Sequence, residues 1–316
     1  MFKKNYIKVF SPATIANFTC GFDIFGVALE NPGDVVEIEI NNNSNGIKIL
    51  EITGDNGLLP YEIEKNTVTI SLLKFLNDFD LKVGLNIKIH KQMPFGSGLG
   101  SSAASSVAGV YALNQMLENP LPKDKLLEYV LEGEKKVSGS IHADNVAACL
   151  YGGFIIVKQY PKLEIIKLKV KKNYYFSIIH PHIEVKTEDA RKILRKDIKL
   201  ELVTKQWGNI ATTVIALQNG DDELLKNSLI DIIIEPVRSI FIPEFTTIKN
   251  IAYENGALAA SISGSGPSVF SVFNDRSLAE ISLNLQAEAL KKIGISSDLY
   301  ISQMNFEGVK VIPWLG

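Results

Sequence analysis

Hydrophobic and polar residues alternate along several stretches near the start of the chain, and this two-residue period predicts β-strands. The alternation is clearest in Asp34–Ile40 and Ile47–Ile52, which the turn-rich segment NNNSNG separates. Apolar residues then recur with a helical period through Thr67–Phe79, where Asn66 is placed to cap the helix. Two shorter strands are predicted at Ile7–Phe10 and Leu85–Ile89.

Two apolar helices are predicted in close succession, at Ser101–Leu117 and Lys123–Val137. The remaining predicted strands are Phe154–Val157, Ile165–Val170, Tyr175–Ile179, Ala257–Ile262, Ser268–Phe273 and Asp298–Ser302, and the remaining helices are Glu188–Leu194, Leu200–Leu217, Phe245–Asn255 and Leu278–Ile293. This mixture predicts the α+β class. The change of pattern near Tyr160 suggests two domains, at residues 1–160 and 161–316.

The amino-acid composition limits the classes of partner that the chain is expected to bind. The 316 residues are 46% hydrophobic, which is enough for two cores, and 33 basic residues stand against 35 acidic ones without a block of like charge. We therefore expect neither nucleic acid nor membrane as a partner. Cys20 and Cys149 are the only cysteines, and we find no signal peptide or membrane-length apolar run. These features predict a cytoplasmic protein with two inert thiols.

A glycine- and serine-rich segment, PFGSGLGSSAA, follows a predicted strand and leads into a predicted helix. At such a position, backbone amides and the positive end of the helix dipole can hold an anion together. Glycine lets the backbone approach the anion closely. We call this segment the first glycine-serine loop; its residues are Pro94, Phe95, Gly96, Ser97, Gly98, Leu99, Gly100, Ser101, Ser102, Ala103 and Ala104.

The type of anion is less certain from the residues alone. A Walker A loop requires a lysine after its last glycine, and Gly100 is followed by two serines. The pattern Gly98-x-Gly100-x-x-Ala103 does match a permissive dinucleotide fingerprint. A Rossmann unit would return to a strand, however, and a second helix follows here. A phosphate site is favoured, and the dinucleotide alternative stays open.

Glu134 falls on the apolar stripe of its helix, four residues after Val130, so it should point inward. A buried carboxylate requires a partner or a cation. Together with Ser102 it offers the hydroxyl and carboxylate oxygens that Mg²⁺ accepts beside a nucleotide. A structural pairing with a lysine or with backbone amides is an equally good interpretation of Glu134.

Two other motifs have weaker chemistry. Ser261–Ser268 reads SISGSGPS, which we name the second glycine-serine loop and interpret as a tight turn. The run His180-x-His182-x-Glu184 could place three ligands on one strand face, and His142 could add to them. This zinc hypothesis is disfavoured because no further ligand motif accompanies the run.

Three segments together resemble the GHMP kinase superfamily: SPATIANFTCGFDIFG at Ser11–Gly26 and the two glycine-serine loops. Within it, the chain is most similar to the homoserine kinase family. That similarity rests on PATIANFTCGFDIFG, on GSIHADNVAA at Gly139–Ala148, and on VKTEDARKIL and IIEPVRSIFIP. One departure is visible, since many homoserine kinases have Gly-Pro where this chain has Thr19-Cys20.

The resemblance implies a two-domain GHMP kinase fold, with an N-terminal domain like domain 2 of ribosomal protein S5 and a C-terminal ferredoxin-like domain. It implies an ATP-dependent kinase that phosphorylates the L-homoserine hydroxyl, and it implies a homodimer. The family pattern places ATP on the first glycine-serine loop and near Asn66, and Mg²⁺ on Ser102 and Glu134. Asp23, Glu134 and Arg238 are the residues expected to contribute to catalysis.

The substrate site implied by the resemblance is mainly charged. Its residues are Asn17, Asp23, His142, Asn145, Thr187, Arg191 and Arg238. Arginine is the natural partner of a substrate carboxylate, and only four of the 33 basic residues are arginine. Alternative functions are another GHMP kinase acting on a mevalonate-pathway or sugar alcohol, a catalytically silent ATP-binding relative, or an S5-like nucleic-acid binder.

Overall fold

The computed structural model describes residues 2–138 and 142–313. Its larger sheet has the order β11-β1-β2-β4-β3, with β5 on β2 and β6 on β5. The strands of this sheet are β1 (Tyr6–Ala16), β2 (Phe25–Asn41), β3 (Gly46–Thr53), β4 (Gly84–His90), β5 (Phe154–Lys158), β6 (Glu164–Leu168) and β11 (Lys310–Val311). The β3–β4 pair is parallel and the other pairs are antiparallel.

The smaller sheet has the order β10-β7-β9-β8, and all its pairs are antiparallel. Its strands are β7 (Tyr175–Pro181), β8 (Ala259–Ile262), β9 (Val269–Phe273) and β10 (Ser297–Ser302). Strands and helices are thus mixed in both halves, as the α+β prediction required. The predicted boundary at residue 160 stays a prediction, although β6 and β11 beyond it belong to the larger sheet.

Four helices follow β3 in the first half, namely α1 (Thr67–Asp78), α2 (Ser101–Met116), α3 (Lys123–Ser138) and α4 (Ala143–Tyr151). The second half contains α5 (Thr187–Lys192), α6 (Leu200–Asn219), α7 (Asp222–Ser228), α8 (Glu235–Arg238), a 3₁₀ turn (Ser239–Phe241), α9 (Phe245–Glu254) and α10 (Arg276–Lys292). Pattern analysis had not predicted α4, α7 or α8. All three are short, and α4 is buried on nearly every side, so little amphipathic period exists to detect.

The two sheets share a continuous core at the loop between β1 and β2. Phe18 lies in that loop, stacks on Phe270 of the smaller sheet at 5.4 Å, and meets Phe154 of the larger sheet edge-on at 5.2 Å. Aromatic pairs at such distances add to the stability gained by burial. Phe18 therefore fixes the β1–β2 loop between the two sheets, beside the cleft described next.

Candidate active site

A cleft of about 430 Å³ lies where the two halves meet. It brings together nearly all the residues predicted for the site. Those lining it are Asn17, Asp23, Asn66, Phe95, Gly96, Ser97, Gly98, Gly100, Ser101, Ser102, Ala103, Glu134, His142, Asn145, Thr187, Arg191 and Arg238. Three predicted loop residues are not in its wall, because Leu99 and Ala104 are buried in the core and Pro94 lies at the entrance to the loop.

The first glycine-serine loop joins β4 to the N-terminus of α2. Gly96, Gly98 and Gly100 all have positive φ, at 65°, 76° and 72°. A Cβ atom at Gly98 would lie 2.5 Å from the Ser263 carbonyl oxygen, whereas one at Gly96 would meet nothing within 4 Å. The loop therefore requires glycine for its backbone path, and at Gly98 also for space.

The second glycine-serine loop packs directly behind the first. Ser263 Oγ donates to the Gly98 carbonyl oxygen at 2.8 Å, and the Ser268 amide donates to the Ser97 carbonyl oxygen at 3.2 Å. Gly264 and Ser265 also line the cleft. The interpretation of this segment as a tight turn was thus incomplete, because the turn supports the first glycine-serine loop from the other half of the chain.

The carboxylate of Glu134 points inward, as its place on the helical stripe predicted, and the residue is 3% exposed. Its Oε1 accepts a hydrogen bond from Ser102 Oγ at 2.6 Å, and its Oε2 lies 3.8 Å from His142 Nδ1. A hydroxyl and a carboxylate thus converge beside the N-terminus of α2. This donor set suits a hard cation such as Mg²⁺.

The α1 end of the cleft is more apolar. Asn66 caps α1 by accepting from the Val68 amide at 3.1 Å, and it donates to the Pro60 carbonyl oxygen at 3.0 Å. Its side chain is therefore used to hold the segment before α1. The sequence pattern gives no sign that this segment belongs to the site, although its Leu58, Leu59 and Pro60 line the cleft.

Asp23 and Arg191 form a bidentate ion pair at the opposite end of the cleft. Arg191 Nη2 lies 3.0 Å from Asp23 Oδ1, and Nη1 lies 3.3 Å from Oδ2. The neighbouring Arg238 is 4% exposed and donates to the Gly264 carbonyl oxygen at 2.8 Å. Both guanidinium groups lie over the Phe22 ring, at 5.8 and 5.1 Å. Burial, reinforced by the positive charge of Arg191, lowers the pKa of Arg238 to about 10.

The β1–β2 loop that carries Asp23 has an unusual backbone. Asn17, Thr19 and Asp23 have φ values of 67°, 65° and 55°. Positive φ is uncommon for side chains other than glycine and is an outlier for a β-branched residue such as Thr19. Thr19 therefore holds a left-handed backbone conformation that glycine would adopt without strain.

Asp144 is a cleft residue that the sequence analysis missed. It lies in the first turn of α4, is 3% exposed and lines the cleft beside Asn145, whose Oδ1 accepts from Thr14 Oγ1 at 2.6 Å. Burial, together with the negative charge of Asp23, raises the pKa of Asp144 to about 6. A signal was present in the sequence, since Asp144 stands inside the segment GSIHADNVAA. Residues 139–141, which begin that segment, lie outside the described residues.

The histidine run does not form a metal site with its neighbours. His180 is buried against Ser268 Oγ, and His182 contacts Ser296 and Asp298. Within residues 2–138 and 142–313, no three His, Cys, Asp or Glu side chains are grouped to hold a metal ion. In the same part of the chain, no helix has the length and apolar character needed to cross a membrane.

Comparisons with known proteins point to one family. The family models "GHMP kinases N terminal domain" and "GHMP kinases C terminal" match residues 66–153 and 213–291. A homoserine kinase of Chloroherpeton thalassium is 39% identical, covering 96% of this chain and 98% of the relative. The crystal structure of homoserine kinase from Cytophaga hutchinsonii is 48% identical, with a TM-score of 0.95 and 99% coverage of both chains. A mevalonate kinase from L. major shares the fold at 15% identity, with a TM-score of 0.77 and coverage of 96% and 98%.

Proposed function

Because this chain belongs to the homoserine kinases of the GHMP kinase superfamily, we propose that its cleft transfers the γ-phosphoryl group of ATP to the side-chain hydroxyl of L-homoserine. The products are ADP and O-phospho-L-homoserine, a step in threonine biosynthesis. Membership of this family confirms the predicted resemblance, the α+β two-domain GHMP kinase fold and the ATP-dependent kinase activity.

One observation supports the assignment of substrates to the two ends of the cleft. A glycine-rich loop at a helix N-terminus and an Asp23–Arg191–Arg238 cluster line the same cavity. The loop suits the polyphosphate of ATP, because its amides and the α2 dipole favour negative charge. The apolar segment Leu58–Pro60 suits the adenine ring.

The charged cluster suits a zwitterionic amino acid. Arg191 and Arg238 offer planar donors to a carboxylate, and the Asp23 carboxylate can accept an ammonium group. Homoserine binding then exchanges the Asp23–Arg191 pair for two pairs with the substrate, so both protein charges stay compensated. Asn17, His142, Asn145 and Thr187 border this end and are proposed to orient the substrate.

Mg²⁺ is proposed to bind at Ser102 and Glu134, whose oxygens lie 2.6 Å apart. When bound, the ion neutralises phosphate charge. The chain itself positions the two substrates in line and stabilises the charge on the transferring group through the loop amides. We expect Glu134→Gln to raise the Mg²⁺ concentration needed for half-maximal rate, measured by titration at saturating ATP. An unchanged Mg²⁺ dependence would contradict this role.

Asp144 is proposed to accept the proton of the attacking hydroxyl. A buried carboxylate with a pKa of about 6 is a stronger base than an ordinary aspartate, yet it is ionised at neutral pH. We expect activity to fall as pH drops through about 6, because protonated Asp144 cannot act as a base. If Asp144→Asn kept the parent rate and acid limb, another group would be the acceptor.

A coupled assay of ADP release tests the substrate assignment. Purified protein is given ATP and Mg²⁺ with L-homoserine, mevalonate or galactose in turn. We expect turnover with homoserine at least about a hundredfold above the other two, because a site built for a zwitterion leaves its charges unpaired with a neutral sugar. Absence of homoserine turnover would overturn the proposal, and preferential turnover of mevalonate would favour the alternative kinase function.

The predicted homodimer and cytoplasmic location rest on the family resemblance and on composition. We propose both on those grounds. Light scattering after gel filtration tests the first, with a mass near twice the 34.8 kDa of one chain as the expected result. A monomer at micromolar concentration would contradict it.

A further inference from the structure

A buried carboxylate outside the cleft connects the two ends of the first glycine-serine loop. Asp34 lies in β2 and is 0% exposed. Its neighbour Val35 pairs with His90, the last residue of β4, so Asp34 stands beside the point where the chain leaves the sheet for the loop. It does not line the cleft.

Each oxygen of this carboxylate serves one end of the loop. Oδ1 accepts from the Gln92 and Met93 amides at 3.0 and 3.4 Å, where the chain enters the loop. Oδ2 accepts from Ser101 Oγ at 2.8 Å and Ser105 Oγ at 2.9 Å, where the chain enters α2. A carboxylate offers about four acceptor positions, so none is left for a ligand.

Lys91 balances the charge and adds contacts at the helix end. Its ammonium group pairs with Asp34 Oδ2 and donates to the Ser101 carbonyl oxygen at 3.0 Å and to Ser105 Oγ at 2.6 Å. The Lys91 side chain is 6% exposed. A buried carboxylate needs such compensation, and here the compensating cation also contacts α2.

We propose that Asp34 is a positioning residue that fixes the span of the first glycine-serine loop and thereby presets its amides for the nucleotide phosphates. The three glycines with positive φ leave the segment between Met93 and Ser101 intrinsically flexible. Fixing both ends to one carboxylate reduces the entropy lost when the phosphates bind. The inference rests on the proposed function, because it assigns the phosphates to this loop.

The direct test is Asp34→Asn, which keeps the shape of the side chain but places an amide among the donors now facing Oδ2. We expect the KM for ATP and the Kd for ADP to rise by about tenfold or more, with the KM for homoserine within about twofold. ADP binding is measured by calorimetry on protein whose folding is verified by circular dichroism. A folded variant with parental ADP affinity would overturn the proposal.

A matched pair of serines provides the test if Asp34→Asn does not fold. Ser105 and Ser106 are adjacent buried residues of α2. Ser105 Oγ donates to Asp34 and Ser105 also lines the cleft, whereas Ser106 Oγ pairs with Ser71 Oγ at 2.6 Å and is not among the donors to Asp34. We expect Ser105→Ala to weaken ADP binding by about threefold to tenfold and Ser106→Ala to leave it unchanged. Equal effects would contradict positioning by Asp34. Because ADP affinity needs no homoserine turnover, failure here is distinguishable from failure of the proposed reaction.

Discussion

The two ends of the cleft are built from different parts of the polypeptide. The end proposed for the nucleotide, called here the nucleotide end, is formed by backbone groups of one continuous segment whose path requires glycine. The end proposed for homoserine, called here the homoserine end, is formed by charged side chains from separate elements, with Asp23 in the β1–β2 loop, Arg191 in α5 and Arg238 in α8. One end is therefore defined by local chain geometry and the other by the tertiary fold.

This difference predicts different responses to substitution. Removing a charged side chain from the homoserine end leaves the opposite charge on the protein or on the substrate without its partner, which lowers affinity for one substrate. A side chain added at a crowded position of the nucleotide end, such as Gly98, displaces the backbone of the first glycine-serine loop, so several of its hydrogen bonds change together. The second glycine-serine loop connects the two ends, since its Gly264 carbonyl oxygen accepts from Arg238 and its Ser263 Oγ donates to the Gly98 carbonyl oxygen.

The largest effect is expected at Arg238. We expect Arg238→Ala to lower kcat/KM for homoserine by roughly a thousandfold, corresponding to about 4 kcal/mol for a buried charge pair lost from the substrate site. The KM for ATP should stay within about threefold, because Arg238 donates its hydrogen bonds to the Ala190 and Gly264 carbonyl oxygens, outside the first glycine-serine loop. Steady-state kinetics with each substrate varied in turn measures both.

Arg238→Lys is the control for Arg238→Ala, because lysine keeps the charge but not the planar fork. We expect it to recover part of the lost activity. A large rise in the KM for ATP in Arg238→Ala would break the separation of the two ends. It would show that losing the hydrogen bond from Arg238 to the Gly264 carbonyl oxygen also weakens ATP binding.

The next largest effect is expected at Gly98, and it should concern ATP rather than homoserine. Gly98→Ala places a Cβ 2.5 Å from a backbone oxygen, so the first glycine-serine loop must shift. We expect the KM for ATP to rise by about thirtyfold, with the homoserine KM nearly unchanged, since overpacking of this kind costs roughly 2 kcal/mol. Gly96→Ala is the matched control, because it has the same positive φ but open space. Equal rises in the KM for ATP would show that the backbone strain of a positive φ, and not the lack of space at Gly98, causes the loss of ATP affinity.

The same contrast explains what the sequence could predict. The first glycine-serine loop, its strand and its helix were found from local pattern, and the inward position of Glu134 followed from its helical period. Apart from the two-residue β11 and the first part of β2, the strands of both sheets were also found, because alternation is a local signal. Their order was not, since pairing such as β5 on β2 depends on contacts between distant segments.

The homoserine end was found only through resemblance. Without that resemblance, Arg191 would be interpreted as a residue of a solvated helix face and Arg238 as a salt-bridged loop residue, because nothing local to either one indicates that both lie over Phe22. Asp144 and Asp34 were missed for a related reason. A carboxylate in a strand or a helix start is ordinary in sequence, and only the fold reveals what surrounds it.

Asp23→Asn is expected to have an intermediate effect and tests the role of this carboxylate. If Asp23 binds the substrate ammonium group, the KM for homoserine rises by about tenfold while kcat stays within about threefold. The variant also loses its full ion pair with Arg191, so kinetics should be accompanied by a melting curve. A kcat reduced by about a thousandfold at an unchanged KM would instead identify Asp23 as the base.

The smallest expected effect concerns stability rather than rate, and Asp144→Asn tests it. Because the folded pKa of Asp144 is raised to about 6, its stabilising contribution is present at low pH and is lost as pH rises through that value. Asparagine cannot ionise, so we expect the variant to gain about 1–2 kcal/mol over the parent between pH 4 and pH 7.5. Thermal melts at both values measure this as a few degrees. If the difference in stability between variant and parent does not grow with pH, then burial does not raise the pKa of Asp144. That result would also remove the basis for its role as a base.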